Sequence, residues 1–352
     1  MQKININGTN IGKNCPCYTI AEAGANHEGD IKKALKLIDA AKKSGVNAIK
    51  FQNYTAAKLT TKTAPKYWDD GIKNESQFDV FDKLDKLSDD EWSQIFDYAR
   101  KKDITCFSTP FDMESVDLLE SLSVPAYKIA SADITHAPLV KKIASKQKPI
   151  FMSTGMASMD EVHDAVSIIQ DEGNEEIIIM HCITSYPTKS EDANLDMIKS
   201  LDLEFPDYII GYSDHTLGTD IASYSVFYGS KCIEKHFTYD KNLSVSRDHR
   251  LSLNSDDFKE LIKKIKLIEM SRGSGVRDNF SAESSAVEFA RRSIVSKYDI
   301  PKGTEITENM IDVKRPGTGI LPKYFFKIIG SKTLKDIPED STIQWNDIDF
   351  NQ

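Results

Sequence analysis

The stretch YTIAEAGANHEGDIKKALKLIDAAKKSGVNAIKFQNY (18–54) carries two apolar runs, YTIAEAG (18–24) and AIKFQNY (48–54), on either side of a helical pattern. Ile31, Ala34, Leu35, Leu37, Ile38 and Ala41 recur at helical spacing, and Gly45 follows as a stop. Neither run alternates strictly between apolar and polar. Continuous runs suit parallel strands buried on both faces. The unit therefore reads as strand, helix, strand.

Six more runs extend the pattern: TCFSTP (105–110), AYKIAS (126–131), PIFMSTG (149–155), IIIMHCI (177–183), YIIGYSD (208–214) and KCIEKHF (231–237). Helical patterns lie between them. SDDEWSQIFDYARKK opens on Ser88 as a cap, with acids in its first turn. MDEVHDAVSIIQDEG and NSDDFKELIKKIKLIEM read the same way. Eight such units predict an α/β fold, a (β/α)8 TIM barrel over residues 1–270. An open doubly wound sheet is the alternative, although no G-x-G-x-x-G follows the first strand.

Two segments depart from the repeat. Residues 55–87 are long for a strand-to-helix connection and read as a lid or binding loop, or else as a solvated insertion. SRGSGVRDNFSAES, within 271–286, reads as a linker. Beyond it the similar segments IPKGT and IPEDST each open a short strand, giving a small β-rich domain over 287–352. So small a domain buries little alone and is expected to dock on something larger.

Bulk properties narrow the classes. Of the 352 residues, 40% are apolar and 28% charged, as in a globular chain. The net charge of -9 disfavours non-specific nucleic-acid binding but says nothing against an anionic substrate in a cleft. Five cysteines, an odd number in a large chain, do not suggest a disulfide framework. Cys106, Cys182 and Cys232 lie in apolar runs, and Cys15 and Cys17 lack a second pair at zinc-finger spacing. The start, MQKININGTNIG, has no apolar signal-peptide core, and no stretch approaches membrane-spanning length, so the cytoplasm is the expected compartment.

In a barrel of this kind chemistry sits at the C-terminal strand ends. The polar residues concentrate there. Strand one ends near Glu22, Asn26, His27 and Glu28; strand two carries Lys50 and Gln52; strand three ends in Ser108 and Thr109. Strand four carries Lys128, then Ser131 and Asp133; strand five ends in Ser153, Thr154 and Gly155. Strand six gives His181, Thr184, Ser185 and Tyr186; strand seven gives Ser213, Asp214 and His215; strand eight gives Glu234 and His236. A lone strand lysine pairs with a core acid as readily as it binds substrate, and a lone histidine is commonly structural. Polar endings on all eight strands are harder to explain by structure alone, because buried charges are costly unless paired. Two lysines, several hydroxyls and the S-T-G turn suit a phosphate and a carboxylate. Two histidines on adjacent strands suit a divalent metal with open positions.

The motifs AEAGANHEGD (21–30), IKFQ (49–52), STPFD (108–112), PAYKIASAD (125–133), STGM (153–156), HCITSYPT (181–188), GYSDHTLG (211–218), EKHFT (234–238) and KRPGTGI (314–320) follow in order along nearly the whole chain. With them the chain resembles the sialic acid synthases, a family that includes the synthases of N-acetylneuraminate, legionaminate and pseudaminate. The tail resembles that family's antifreeze-like (SAF) domain. The resemblance implies a dimer in which each small domain caps the partner's site.

It also implies roles by position. His215 and His236 match the metal ligands, for manganese first, with magnesium or cobalt as alternatives. Lys50, Lys128, Ser131, Ser153, Thr184 and Ser213 match the phosphoenolpyruvate site. Glu22, Gln52, Tyr186 and Asp248 match the sugar site, and Arg315 matches an arginine that reaches the sugar from the partner subunit. Asp133 stands where the best-known pattern has a glutamate, and Thr184 where it has an asparagine. The implied reaction joins phosphoenolpyruvate to an N-acetylated mannosamine-type sugar, with the metal polarising the sugar aldehyde. Glu22, Lys50, Lys128 and Asp133 are the expected catalytic groups. N-acetylmannosamine is the first choice of sugar, giving N-acetylneuraminate. The alternative is 2,4-diacetamido-2,4,6-trideoxymannose, giving N,N'-diacetyllegionaminate. A Schiff-base pyruvate aldolase using Lys128, and a non-catalytic binding module, are the readings from other classes.

Overall fold

All eight runs are strands in the computed structural model, which describes residues 3–68, 74–277 and 281–350. Residues 69–73 of the expected lid and 278–280 of the expected linker lie outside the described residues. The strands are β1 (Tyr18–Gly24), β2 (Ala48–Asn53), β3 (Thr105–Pro110), β4 (Tyr127–Ile129), β5 (Ile150–Ser153), β6 (Ile177–Cys182), β7 (Ile209–Asp214) and β8 (Cys232–His236). They pair in sequence order, all parallel, and β8 closes on β1. The open-sheet alternative is thereby excluded.

Local chemistry sets the helix ends. α1 (Ile31–Ser44) begins where the Asp30 carboxylate accepts from the Lys32 N–H, and it stops at Gly45, whose φ of 82° is left-handed. α2 (Asp89–Lys101) and α3 (Met159–Asp171) each open on a capping box, Ser88 with Glu91 and Ser158 with Glu161. α4 (Ser255–Arg272) packs back against α1 and completes the barrel unit.

Continuous apolar runs follow from two cores, one on each side of the barrel wall. Ala21, Ile49, Phe51, Tyr127, Ile150, Met152, Ile179 and Ile233 point outward and are buried under the helices. Tyr18, Ile20, Ala48, Phe107, Phe151, Ile178, Met180, Ile209 and Cys232 point inward and fill the lower barrel. An N-terminal hairpin, Ile4–Ile6 with Thr9–Ile11, adds Ile4, Ile6 and Ile11 to that inner cluster. Its turn is Asn7-Gly8, both at positive φ, as a two-residue hairpin of type I′ requires. The N-G pair was a hairpin signal in the sequence that the strand pattern above did not use.

Along each strand the inward face changes from apolar to polar toward the C-terminal end. Ile20 gives way to Glu22, Ala48 to Lys50 and Gln52, Phe151 to Ser153, and Cys232 to Glu234 and His236. The period of two that defines a strand thus builds an apolar floor and a polar mouth from one pattern.

The chain divides into two compact units, Met1–Arg272 and Gly273–Gln352. The second is built on isoleucine: Ile294, Ile300, Ile306, Ile311, Ile320, Ile328, Ile337, Ile343 and Ile348 form its core. The two similar segments pair with each other. Ile300 and Ile337 exchange backbone hydrogen bonds of 2.8 and 2.9 Å. Strand Ile311–Lys314 leads to the exposed Arg315, and the Gly317 N–H donates to the Glu288 carbonyl at 2.7 Å.

Candidate active site

The polar mouth opens into a cavity of about 490 Å³. Glu22, Lys50, Gln52, Lys128, Ser131, Asp133, Ser153, Thr184, Tyr186, Ser213, His215, His236 and Asp248 all line it. Arg315 belongs to the second unit. Other polar residues at the strand ends do not line it, and four of them turn into the barrel wall. Asp214 lies on the other face of β7, where its carboxylate meets Lys235 Nζ at 2.6 Å. His181 bonds the Ala193 carbonyl, Ser108 donates to Asn53, and Thr154 donates to the Met180 carbonyl. These side chains satisfy the wall, and the same period of two that brings their neighbours inward sends them out.

A charge array forms the base of the cavity. Lys50 Nζ lies 2.5 Å from Glu22 Oε2 and 3.7 Å from Glu234 Oε2. Lys128 Nζ lies 2.9 Å from Glu234 Oε1, which also accepts from Ser213 Oγ at 3.0 Å. Gln52 Nε2 donates to Glu22 Oε1 at 2.8 Å. That last contact depends on a bulge: the β1–β2 register shifts between Glu22 and Gly24. Gly24 sits at φ +50°, and a Cβ there would stand 3.3 Å from both Gln52 and Glu22.

The two carboxyls differ in acidity. Burial pushes Glu234 up, but Lys128 and Lys50 outweigh it and hold the group at about 2. At Glu22 burial wins, and with the Glu234 charge it lifts the carboxyl to about 7 against the pull of Lys50. Burial also opposes the charge on Lys128, but Glu234 overrides it and holds the ammonium above its ordinary value. Asp133 is raised to about 7 by burial, with no compensating cation among the described residues.

Hydroxyls and backbone close one side. Ser131 Oγ accepts from the Gly155 N–H at 3.0 Å. Gly155 is required by contact: a Cβ would stand 2.3 Å from Thr184 Oγ1 and 2.8 Å from Ser131 Oγ. Buried polar atoms without a hydrogen-bond partner among the described residues gather in this cavity. They include Asp133 Oδ2, Ser153 Oγ, Thr184 Oγ1, Glu234 Oε2, His236 Nδ1 and Asp248 Oδ1. Such atoms are costly in a finished core and are expected where a polar ligand completes them.

The histidines stand together on neighbouring strand ends, their ring centroids 5.3 Å apart. His215 Nδ1 donates to the Ile183 carbonyl at 2.8 Å, which leaves Nε2 with its lone pair. Burial pushes His236 down to about 3 against the pull of Asp248, so its ring is neutral. At His215 burial also disfavours the charged ring, but Cys182 and the Ile183 carbonyl override it and hold the imidazole above its ordinary value; a divalent metal would bind such rings through a deprotonated nitrogen. Among the described residues no three metal-ligating side chains converge, so His215 and His236 are the side chains that would hold a metal at this end of the cavity, were one bound.

Several lining residues were not singled out as site residues. Glu234 is the hub of the array, and its signal was its place two residues before His236, on the same strand face. Arg247 sits beside Asp248 in a 3-10 turn, and Tyr54, Leu59, Val80, Phe81, Leu84 and Phe111 form an apolar wall at the cavity. Most of that wall comes from two short helices, Ala56–Leu59 and Gln77–Leu84, within the long connection. Nothing in strand periodicity reports such residues.

Comparison with known proteins adds to this geometry. The model of the NeuB family matches residues 37–277, and that of the SAF domain matches 291–349. An uncharacterized protein of Methanocaldococcus jannaschii is 42% identical, over 99% of both chains. The N,N'-diacetyllegionaminic acid synthase of Campylobacter jejuni is 38% identical, over 92% of this chain and 98% of that one. The crystal structure of a sialic acid synthetase from Leptospira borgpetersenii superposes with a TM-score of 0.73 at 32% identity, covering 81% of this chain and 95% of that one. The chain therefore belongs to the NeuB family of nine-carbon sugar-acid synthases, with a SAF domain following its barrel.

Proposed function

We propose that this chain joins phosphoenolpyruvate to the open-chain aldehyde of an N-acylated mannosamine-type sugar, with water, releasing phosphate and a nine-carbon sugar acid. The observation that carries this reading is the array Glu22–Lys50–Glu234–Lys128 beside the hydroxyls of Ser131, Ser153, Thr184 and Ser213, of which those of Ser153 and Thr184 are buried with no hydrogen-bond partner among the described residues. With both carboxyls ionised the array is neutral, and with Glu22 protonated it is positive. An anion entering the cavity draws a proton onto Glu22, which burial already holds near neutrality. Lys50, Lys128, Ser131, Ser153, Thr184 and Ser213 hold the phosphate and carboxylate of phosphoenolpyruvate. Glu22, Gln52, Tyr186 and Asp248 hold the sugar, and Arg315 reaches it from a second copy of the chain.

His215 and His236 hold the metal, manganese in preference to magnesium or cobalt, and when bound it supplies Lewis-acid polarisation of the sugar aldehyde. Carbon 3 of phosphoenolpyruvate forms the new bond to the aldehyde carbon as the carbonyl π pair passes to its oxygen, which takes up a proton and becomes a hydroxyl. Carbon 2 becomes cationic and takes up water. Asp133 accepts the water's proton, a role suited to a carboxyl held near neutrality. The tetrahedral species then expels phosphate by cleavage of its carbon–oxygen bond. Lys50 and Lys128 stabilise the negative charge throughout.

A Schiff-base aldolase needs a neutral lysine. Lys128 is instead held charged by Glu234 at 2.9 Å, which argues against that rival. Between the two sugars, the apolar wall favours 2,4-diacetamido-2,4,6-trideoxymannose over N-acetylmannosamine, because a 6-deoxy, twice-acylated sugar leaves less polar surface against it. The Campylobacter jejuni relative's name points the same way. The test uses phosphoenolpyruvate labelled with oxygen-18 at its bridging oxygen. Label in the released phosphate is expected; label kept in the sugar acid would overturn the proposed cleavage.

A further inference from the structure

Arg247 has a setting that the proposed chemistry does not use. Its guanidinium lies 3.8 Å from the ring centre of Trp68, 5.5 Å from that of Tyr186 and 5.6 Å from that of Tyr67. Its Nε approaches Asp248 Oδ1 at 3.6 Å. Nη1 is buried and has no hydrogen-bond partner among the described residues. The side chain lines the main cavity, as does the apolar wall of Tyr54, Leu59, Val80, Phe81, Leu84 and Phe111.

The turn that carries Arg247 is fixed from behind. Glu28 Oε1 accepts from the backbone N–H groups of Val245 and Ser246 at 3.1 and 3.2 Å, and lies 3.1 Å from His249 Nε2. Lys33 pairs with the same carboxylate. Thr238 Oγ1 meets the other His249 nitrogen at 2.8 Å. A guanidinium stacked on aromatic rings, on a turn held by four hydrogen-bonded groups, has lost its freedom before any ligand arrives. That is how a specificity contact is pre-organised.

We infer that Arg247 is a specificity-determining residue, donating from Nη1 to the carbonyl oxygen of an acylamino group on the part of the sugar remote from the reacting aldehyde. The inference rests on the reaction proposed above. A planar amide fits the aromatic and apolar surroundings, and its carbonyl supplies the one acceptor the buried N–H lacks. A phosphate in the same place would face Asp248 and an apolar wall with one guanidinium to neutralise it. A bare hydroxymethyl group would leave the wall uncovered.

The test measures phosphate release from phosphoenolpyruvate by the full chain with three sugars: N-acetylmannosamine, its 6-phosphate and 2,4-diacetamido-2,4,6-trideoxymannose. The wild type should prefer the diacetamido sugar in kcat/KM over both others. In Arg247→Met the ratio of kcat/KM for the diacetamido sugar to that for N-acetylmannosamine should fall by about 10- to 100-fold, the size of a lost charged hydrogen bond. Most of that fall should lie in KM. Arg247→Lys, which keeps a charge but not the planar fork, should restore part of the ratio. A damaged fold lowers both sugars together and leaves the ratio unmoved, and an unmoved ratio overturns the inference. A wild-type preference for the 6-phosphate, lost in Arg247→Met, overturns it in favour of an anion site. No phosphate release with any sugar would defeat the proposed reaction itself.

Discussion

Lys128 on β4 and Glu234 on β8 meet across the mouth of the barrel, Nζ to Oε1 2.9 Å, though 106 residues separate them in the chain. The pair joins opposite walls of the cylinder. Glu234 also draws in Ser213 and Lys50, so one carboxylate organises four strands.

Replacing Glu234 by Gln should cost both stability and rate. Among the described residues it leaves Lys50 and Lys128 with Glu22 as their one carboxylate neighbour, and breaking a buried charge pair costs about 3–5 kcal/mol. Chemical denaturation should show a lower midpoint at an unchanged slope. The KM for phosphoenolpyruvate should rise at least about tenfold, because the lysines lose their orientation. A variant as stable and as active as the wild type would show that the array is incidental.

Asp133 ties pH to both activity and stability. Its carboxyl is raised from 3.8 to about 7, so the native state holds a proton there that the unfolded chain has released. Across that window the unfolded state binds fewer protons at this group, and its contribution to stability falls as pH rises. Asp133→Asn should therefore gain stability on the wild type between about pH 4 and 7, with the gain levelling off above. If the carboxylate takes the proton of water, the same variant should lose about 100- to 10,000-fold in kcat and the wild type's rising limb near pH 7. A pH–rate profile unchanged by the substitution would remove Asp133 from the chemistry.

Gly155→Ala tests the S-T-G turn. The added methyl meets Thr184 Oγ1 at 2.3 Å and Ser131 Oγ at 2.8 Å. Overpacking of this kind costs about 1–3 kcal/mol, and here it pushes aside two hydroxyls assigned to phosphoenolpyruvate. Steady-state kinetics should show a larger rise in KM for phosphoenolpyruvate than for the sugar. An equal rise in both would place the phosphate elsewhere.

How far the sequence carried this account depended on the kind of signal. Strand runs such as IIIMHCI and YIIGYSD were legible because burial on both faces leaves their lower halves apolar. The site's lysines and histidines were legible because polar residues interrupt those runs only at their ends. Alternation then decided which of them face the cavity. Ser213 and His215 point in while Asp214 between them binds Lys235, and a list of polar strand ends could not separate the two faces. Arg247 and the wall residues Val80, Phe81 and Leu84 lie on connections, where no period exists to read. Their places depend on contacts such as those Glu28 makes with Val245 and Ser246, more than 200 positions away.

Arg315 tests the proposed dimer. Arg315→Ala and His236→Ala should each be nearly inactive alone. If the arginine arrives from a second copy, mixing the two should create dimers with one complete site, and sugar-dependent phosphate release should recover. No recovery, with mixed dimers shown by light scattering or native mass spectrometry, would mean the arginine does not act across a dimer.

The most direct test of the central claim is phosphate release by the purified full chain with phosphoenolpyruvate and 2,4-diacetamido-2,4,6-trideoxymannose, read beside metal content. We expect one phosphate for each nine-carbon acid formed, abolition by chelation, and recovery with manganese. His215→Ala and His236→Ala should lose bound metal and turnover together. Turnover that survives chelation and both substitutions, or a borohydride-trapped adduct of pyruvate on Lys128, would contradict the account.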